Sequence, residues 1–234
     1  ATYEATLEVP TDAPIGYHEG AIRAVTDPGG SPSSGARFLH ALPGVDAVDV
    51  YADGALVAQE LAFGDISEPP YADLAPGWHQ VALAPTGVGL DGAVLLESVH
   101  VRSGTEYTFA AVADAVSGTL QAIVDGNRSA PTEARRLRFV HLSPDAGSVD
   151  VYANNVPLWS GVGFREASGY AELPAQPLVF TITRSGQADP VATIGPIEVP
   201  VLGASLFLVG ERDEDTAQAV FDRVPGRPGV GTEC

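Results

Sequence analysis

The side chains of this sequence best placed to do chemistry are two histidines, two aspartates and two tryptophans, most of them in a repeating frame. His40 stands three residues before Pro43, and His141 three residues before Pro144. Shortly after come Val48-Asp49-Val50-Tyr51 and Val149-Asp150-Val151-Tyr152. A histidine near a carboxylate can act as a base or a metal ligand. A metal site, however, needs three or four ligands, and neither copy offers a second His or Cys at ligand spacing. The expected role of His40 and His141 is therefore to brace the loops through Pro43 and Pro144 by hydrogen bonding to backbone groups. Asp49 and Asp150 alternate with inward valines, so they should be solvated or cap turns. Calcium is the alternative, since extracellular sandwiches bind it with loop carboxylates. The densest acidic run, Glu211-Arg212-Asp213-Glu214-Asp215, lacks the spacing of a calcium loop and reads as a charged hairpin tip. Trp78 and Trp159 could stack against sugar rings. Each falls in a strand pattern, where core or inter-module packing is commoner. No G-x-S-x-G element, Gly-rich phosphate loop or Cys/His nucleophile pair is present. No catalytic residue is named, and an enzyme is not expected.

The elements that must position these residues are strands. Residues 37–52 read RFLHALPGVDAVDVYA and residues 138–153 read RFVHLSPDAGSVDVYA, a constant offset of 101. Phe63 answers Phe164, and Tyr71-Ala72-Asp73-Leu74 answers Tyr170-Ala171-Glu172-Leu173. Within each copy the apolar period is two, as on a half-buried strand. Asp53-Gly54 and Asn154-Asn155 are hairpin-turn dipeptides that tolerate positive φ. Further strands are expected over 56–59, 78–84, 95–101, 107–113 and 120–124, and over 156–159, 178–184, 194–199, 205–210 and 217–222. Six or seven strands per copy, with turn signals every eight to twelve residues, predict a sandwich. The pattern divides the chain into an extension (1–36), a first repeat (37–126), a connector (127–136), a second repeat (137–224) and a Pro/Gly tail (225–234). The connector is short enough that the modules should touch.

Composition narrows the partners. The chain has 234 residues, a net charge of −18 and no lysine, all twelve basic residues being arginine. Such a surface repels nucleic acid, whose binding rests on phosphate neutralisation, and anionic lipid likewise. No apolar run approaches the roughly 20 residues of a membrane helix. The start at Ala1-Thr2 fits the downstream side of a signal-peptidase cut. With Cys234 the single cysteine, this points to an extracellular or cell-surface protein without internal disulfides.

The motif His-x-x-Pro-x-x-x-x-Val-Asp-Val-Tyr, followed by a turn and Leu61-Ala62-Phe63-Gly64, resembles the DUF4397 family over residues 36–224. Copy two, HLSPDAGSVDVY, is the tighter match; copy one has Gly44 where the family usually carries an acidic residue. The resemblance implies an extracytoplasmic compartment and an immunoglobulin-like fold, and brings no catalytic residues. The expected architecture is all-β: two tandem immunoglobulin-like or transthyretin-like antiparallel β-sandwich domains with an N-terminal β-strand extension.

The unrepeated ends suggest a role. Residues 2–9 alternate strictly, with Tyr3, Ala5, Leu7 and Val9 on one face, and end at Pro10. A flexible stretch, DPGGSPSSG (27–35), separates them from copy one. Such a strand can fold back on its own sheet edge or complete a neighbour's sheet. The leading expectation is a secreted structural subunit that self-associates with copies of itself, possible filaments included, through residues 2–9. Cys234 is an incidental thiol or an intermolecular crosslink. The alternative is a monomeric surface module that binds a glycan or another wall component. No cofactor is expected, apart from the calcium alternative.

Overall fold

The computed structural model describes residues 34–67, 71–113, 118–125, 135–201, 203–210 and 218–223. Copy one forms β1 (Ser34–Ala41), β2 (Val48–Ala52), β3 (Ala55–Leu61), β4 (Ala72–Leu74), β5 (Gly77–Pro85), β6 (Leu95–Val101), β7 (Glu106–Ala113) and β8 (Gly118–Asp125). Copy two forms β9 (Arg136–His141), β10 (Val149–Ala153), β11 (Val156–Val162), β12 (Ala171–Glu172), β13 (Leu178–Arg184), β14 (Pro190–Ile197), β15 (Ala204–Val209) and β16 (Gln218–Arg223). The protein is all-β, and the one helical turn among the described residues is a 3-10 turn at Leu90–Gly92.

Among the described residues each copy has eight strands rather than six or seven. The additions are β4 and β12, two short edge strands in the repeated Tyr-Ala-acid-Leu segment. The sheets are β4-β1-β7-β8 and β3-β2-β5-β6 in copy one, and β12-β9-β15-β16 and β11-β10-β13-β14 in copy two. Most pairs are antiparallel, but β1 runs parallel to β7 and β9 parallel to β15. The strand expected over 194–199 is β14, which starts four residues earlier and pairs with β13 through register shifts.

Three cores hold these sheets. Phe38, Val48, Val50, Val81, Leu83 and Phe109 fill the first sandwich, and Phe139, Val149, Val151, Phe180, Ile182 and Leu206 the second. A third core lies between the copies: Leu39, Ala41, Ala110, Val112 and Ile123 meet Val140, Leu142, Phe207 and Val209. Along β1, Phe38 faces the sandwich core while Leu39 and Ala41 face the other copy. All eight residues of β1 are buried, as expected of strands covered on both faces. The result is a stack of four sheets, with β4-β1-β7-β8 and β12-β9-β15-β16 as the inner pair.

Candidate functional site

The repeat-motif residues sit where strands meet loops. His40 and His141 are both fully buried. His40 Nε2 lies 3.2 Å from the Val45 carbonyl and 3.1 Å from that of Asp46, while its Nδ1 accepts from the Leu42 amide at 3.3 Å. His141 Nε2 lies 2.7 Å from the Gly147 carbonyl, and its Nδ1 accepts from the Ser143 amide at 3.2 Å. One nitrogen donates and the other accepts, so each ring is held neutral with its hydrogen on Nε2. Burial pushes both pKa values down, against the carbonyls of Asp46 and Val45 at His40 and of Gly147 at His141. Each ring spans the loop that carries half-buried Pro43 or Pro144.

Asp49 and Asp150 hold a bulge and a turn together. The amide of Glu60 donates to Asp49 Oδ1 at 3.0 Å, that of Gly87 to Oδ2 at 3.1 Å, and the Thr86 hydroxyl to Oδ1 at 3.2 Å. Asp150 accepts from the Ser185 hydroxyl at 2.7 Å, the Gly161 amide at 2.8 Å and the Gly186 amide at 3.4 Å. These donors lower both carboxyls, the Glu60 amide first at Asp49 and the Ser185 hydroxyl first at Asp150. The bulges put Glu60 (φ 53°) and Gly161 (φ 69°) in the left-handed region. Tyr51 and Tyr152 follow, half-buried, in the same strands. Among the described residues no group of three or more His, Cys, Asp or Glu side chains could hold a metal ion. The acidic run 211–215 lies outside the described residues.

A charged cluster between the copies was not singled out from the sequence. Asp125, whose side chain is fully buried, lies 3.3 Å from Arg37 Nε and also binds Arg138 Nη2. It accepts from the Tyr71 hydroxyl at 2.7 Å and the Thr108 hydroxyl at 2.8 Å. Arg37 Nε donates to Thr108 Oγ1 at 2.8 Å, and Arg138 Nε to Ser205 Oγ at 2.9 Å. Arg37 and Arg138 open the two repeats, so one carboxylate ties the same position of both copies. The available signal was an arginine kept at both copies within otherwise apolar strands. Burial, then the Asp125 charge, pushes the Tyr71 hydroxyl far up. Gly35 makes room for this tyrosine: a Cβ there would meet Tyr71 Cβ at 2.9 Å.

The two tryptophans part company. Trp78, expected in a core or an inter-module contact, is 72% exposed on the outer face of β5. Val81 and Leu83 point inward, so the period of two turns Trp78 and Gln80 to solvent. Its ring meets His100, opposite on β6, at 5.1 Å. Next to it in sequence, His79 is 9% exposed. Its Nδ1 is 2.6 Å from Asp53 Oδ2 and its Nε2 is 2.6 Å from the Ala75 carbonyl. Burial lowers the His79 pKa, but the Ala75 carbonyl and Asp53 outweigh it, and the net shift is upward. Trp159 is half-buried and stacks on Phe139 at 6.4 Å and 21°. It lines an open cleft of about 610 Å³ with Ser160, Glu166 and Ser168. The structure therefore places the two rings in different sandwiches rather than on one platform. Tyr3, Ala5, Leu7, Val9 and Cys234 lie outside the described residues. No helix among the described residues is long and apolar enough to cross a membrane.

Fold and duplicated motif together define a tandem β-sandwich protein whose copies share a buried face. The chain belongs to the family described as Domain of unknown function (DUF4397), whose model matches residues 34–152 and 136–223. No curated protein matches it. Among solved structures it is similar to a streptococcal one titled "Alpha-glucan binding by a streptococcal virulence factor". That match has 11% identity and a TM-score of 0.25, and covers 80% of this chain and 97% of the other. A second, "Alpha-glucan recognition by family 41 carbohydrate-binding modules from streptococcal virulence factors", has 12% identity, a TM-score of 0.26 and the same coverage.

Proposed function

We propose that this chain is a secreted cell-surface module that holds a glycan or another wall component, without chemically changing it, on the outer face of β3-β2-β5-β6. The observation that carries the reading is Trp78, a large ring left 72% exposed on a regular strand. Fold stability does not call for it there. The ladder registers put Trp78 at the position of Pro177 in copy two, just before β13, so the second sheet forms with no aromatic side chain there. Polar groups that can reach hydroxyls surround it: Gln80 and Ser98 in the next cross-strand row, and His100 opposite. An amphipathic ring beside a few oriented polar groups is the usual make-up of a recognition surface. The net charge of −18 favours a neutral partner over a polyanion.

Affinity electrophoresis through gels containing neutral cell-wall polysaccharides tests the reading. Retardation by at least one polysaccharide is expected, and Trp78→Ala should weaken it about tenfold, or about 1.4 kcal/mol. The melting temperature should not move, because the ring buries little. Unchanged retardation in Trp78→Ala would refute the assignment.

A further inference from the structure

We propose that the cleft beside Trp159 is a second saccharide site, separate from the Trp78 face and built for a neutral pyranose unit. It rests on the reading above for the class of ligand and on different residues for its place.

The two copies supply an internal control. Trp159 pairs with Val151 in β10, and Ala58 pairs with Val50 in β2, so the two occupy the same position. Ala58 is 7% exposed and completes the first core. The sandwich thus closes with a methyl group at this position, and the indole of copy two exceeds what packing requires. The ring stacks on Phe139 and packs against the second core, and part of it lines the cleft.

The polar groups there are of mixed kind. Glu166 Oε2 accepts the Gly163 amide at 2.8 Å, which leaves Oε1 for a ligand. Ser160 adds an exposed hydroxyl able to donate or accept, and the indole N–H is a donor. A carboxylate oxygen, a hydroxyl and an N–H around an aromatic face complement vicinal sugar hydroxyls over an apolar ring face. A cation would find one carboxylate, already engaged by an amide.

The wall is also preorganised. The Arg165 amide donates to the His141 carbonyl at 2.7 Å, and the His141 amide to the Glu166 carbonyl at 3.0 Å. The Phe139 amide donates to Ser168 Oγ at 2.8 Å. From the other copy, Gln121 Nε2 donates to the Arg165 carbonyl at 2.6 Å, and Arg165 Nε donates back to Gln121 Oε1 at 2.8 Å. A loop fixed from both copies loses little freedom when a ligand settles against it.

Trp78→Ala leaves Trp159 as the sole tryptophan of the chain, so its fluorescence reports on the cleft alone. Titration of this variant with cellohexaose, maltohexaose and chitohexaose should give a saturable change for at least one of them. Adding Glu166→Gln, which can keep the Gly163 bond but removes the charge, should weaken it about tenfold at unchanged melting temperature. No response in Trp78→Ala, while the unaltered protein still binds, overturns this site and spares the Trp78 face. Full binding by Trp78→Ala that Glu166→Gln abolishes supports this site and overturns the face. A response to tetramethylammonium alone, or none from either protein, overturns the proposal.

Discussion

Replacing Asp125 by asparagine tests whether one carboxylate joins the copies. The side chain is fully buried, and the arginines it binds are 1% and 4% exposed. Asparagine keeps the shape and can still accept from Tyr71 or Thr108, but it leaves two buried guanidinium groups with one counter-charge removed. Glu106, its partner across the β7–β8 ladder, is also buried at 1% and stands on the same side of the balance. Breaking a buried ion pair by removing one partner costs about 3–5 kcal/mol. With two cations sharing the anion, the upper half of that range is expected. For a chain of this size each kcal/mol lowers Tm by roughly 2–4 °C, so the fall should be about 8–20 °C. Urea denaturation followed by both far-UV circular dichroism and tryptophan fluorescence gives the free energy and tests cooperativity. The unaltered protein should show one coincident transition, and Asp125→Asn two separated ones. The quadruple variant Arg37→Met/Arg138→Met/Asp125→Leu/Glu106→Gln, which leaves no buried charge of the cluster unpaired, should recover most of the loss, since apolar replacement of a buried ion cluster is often neutral or better. A loss under about 1 kcal/mol, the range of exposed pairs, would refute the claim that this buried carboxylate joins the copies.

Acid should weaken the protein through its two buried histidines. Both have folded-state pKa values below 6.5, so their contribution is complete above that value and is lost as pH falls through the folded values; urea midpoints at pH 7.5 and 5 will show it, and His141→Gln should flatten the fall. His79 has the opposite sign. Its pKa is raised, so its contribution is complete below pH 6.5 and is lost as pH rises through the folded value; His79→Gln should therefore cost stability at pH 5.5 and little at pH 9. Glu60→Gly should stabilise copy one by about 1 kcal/mol, because Glu60 holds a left-handed φ that copy two assigns to Gly161; a lower urea midpoint would contradict this. Gly35→Ala should push Tyr71 off Asp125 and lower Tm, whereas the same change at Gly169, where a Cβ meets nothing within 4 Å, should be silent.

The fold was legible because the sequence contains its own alignment. An offset of 101 between two alternating segments fixes the strands and their turns without a second protein. The parallel pairs were not legible. A strand such as Arg37-Phe38-Leu39-His40-Ala41, buried on both faces with a polar and an apolar residue on each, shows no alternation, and that pattern is compatible with either a deep core or a stacking face. Trp78 was misplaced for a related reason. Gly77, Trp78 and His79 run into an apolar stretch, and only the phase set by Val81 and Leu83 reveals which way the ring points. Trp159 lies at a bulge, where the extra residue breaks the period of two. Arg37 and Arg138 were visible as repeated residues, but Asp125 is not duplicated, and a single acid at a strand end carries no signal of what it meets.

The third core also bears on how such a chain is made. Copy one is complete at Asp125, yet Leu39, Ala110, Val112 and Ile123 wait for Val140, Leu142, Phe207 and Val209, which are synthesised later. Until β9 emerges the nascent first half holds its acid with only one of two arginines, and until β15 follows its flank stays incompletely covered. A truncated product ending in the connector should therefore aggregate or recruit a chaperone. Each half therefore leaves apolar surface for the other to cover, and gene fragments encoding one copy should express poorly where the pair expresses well.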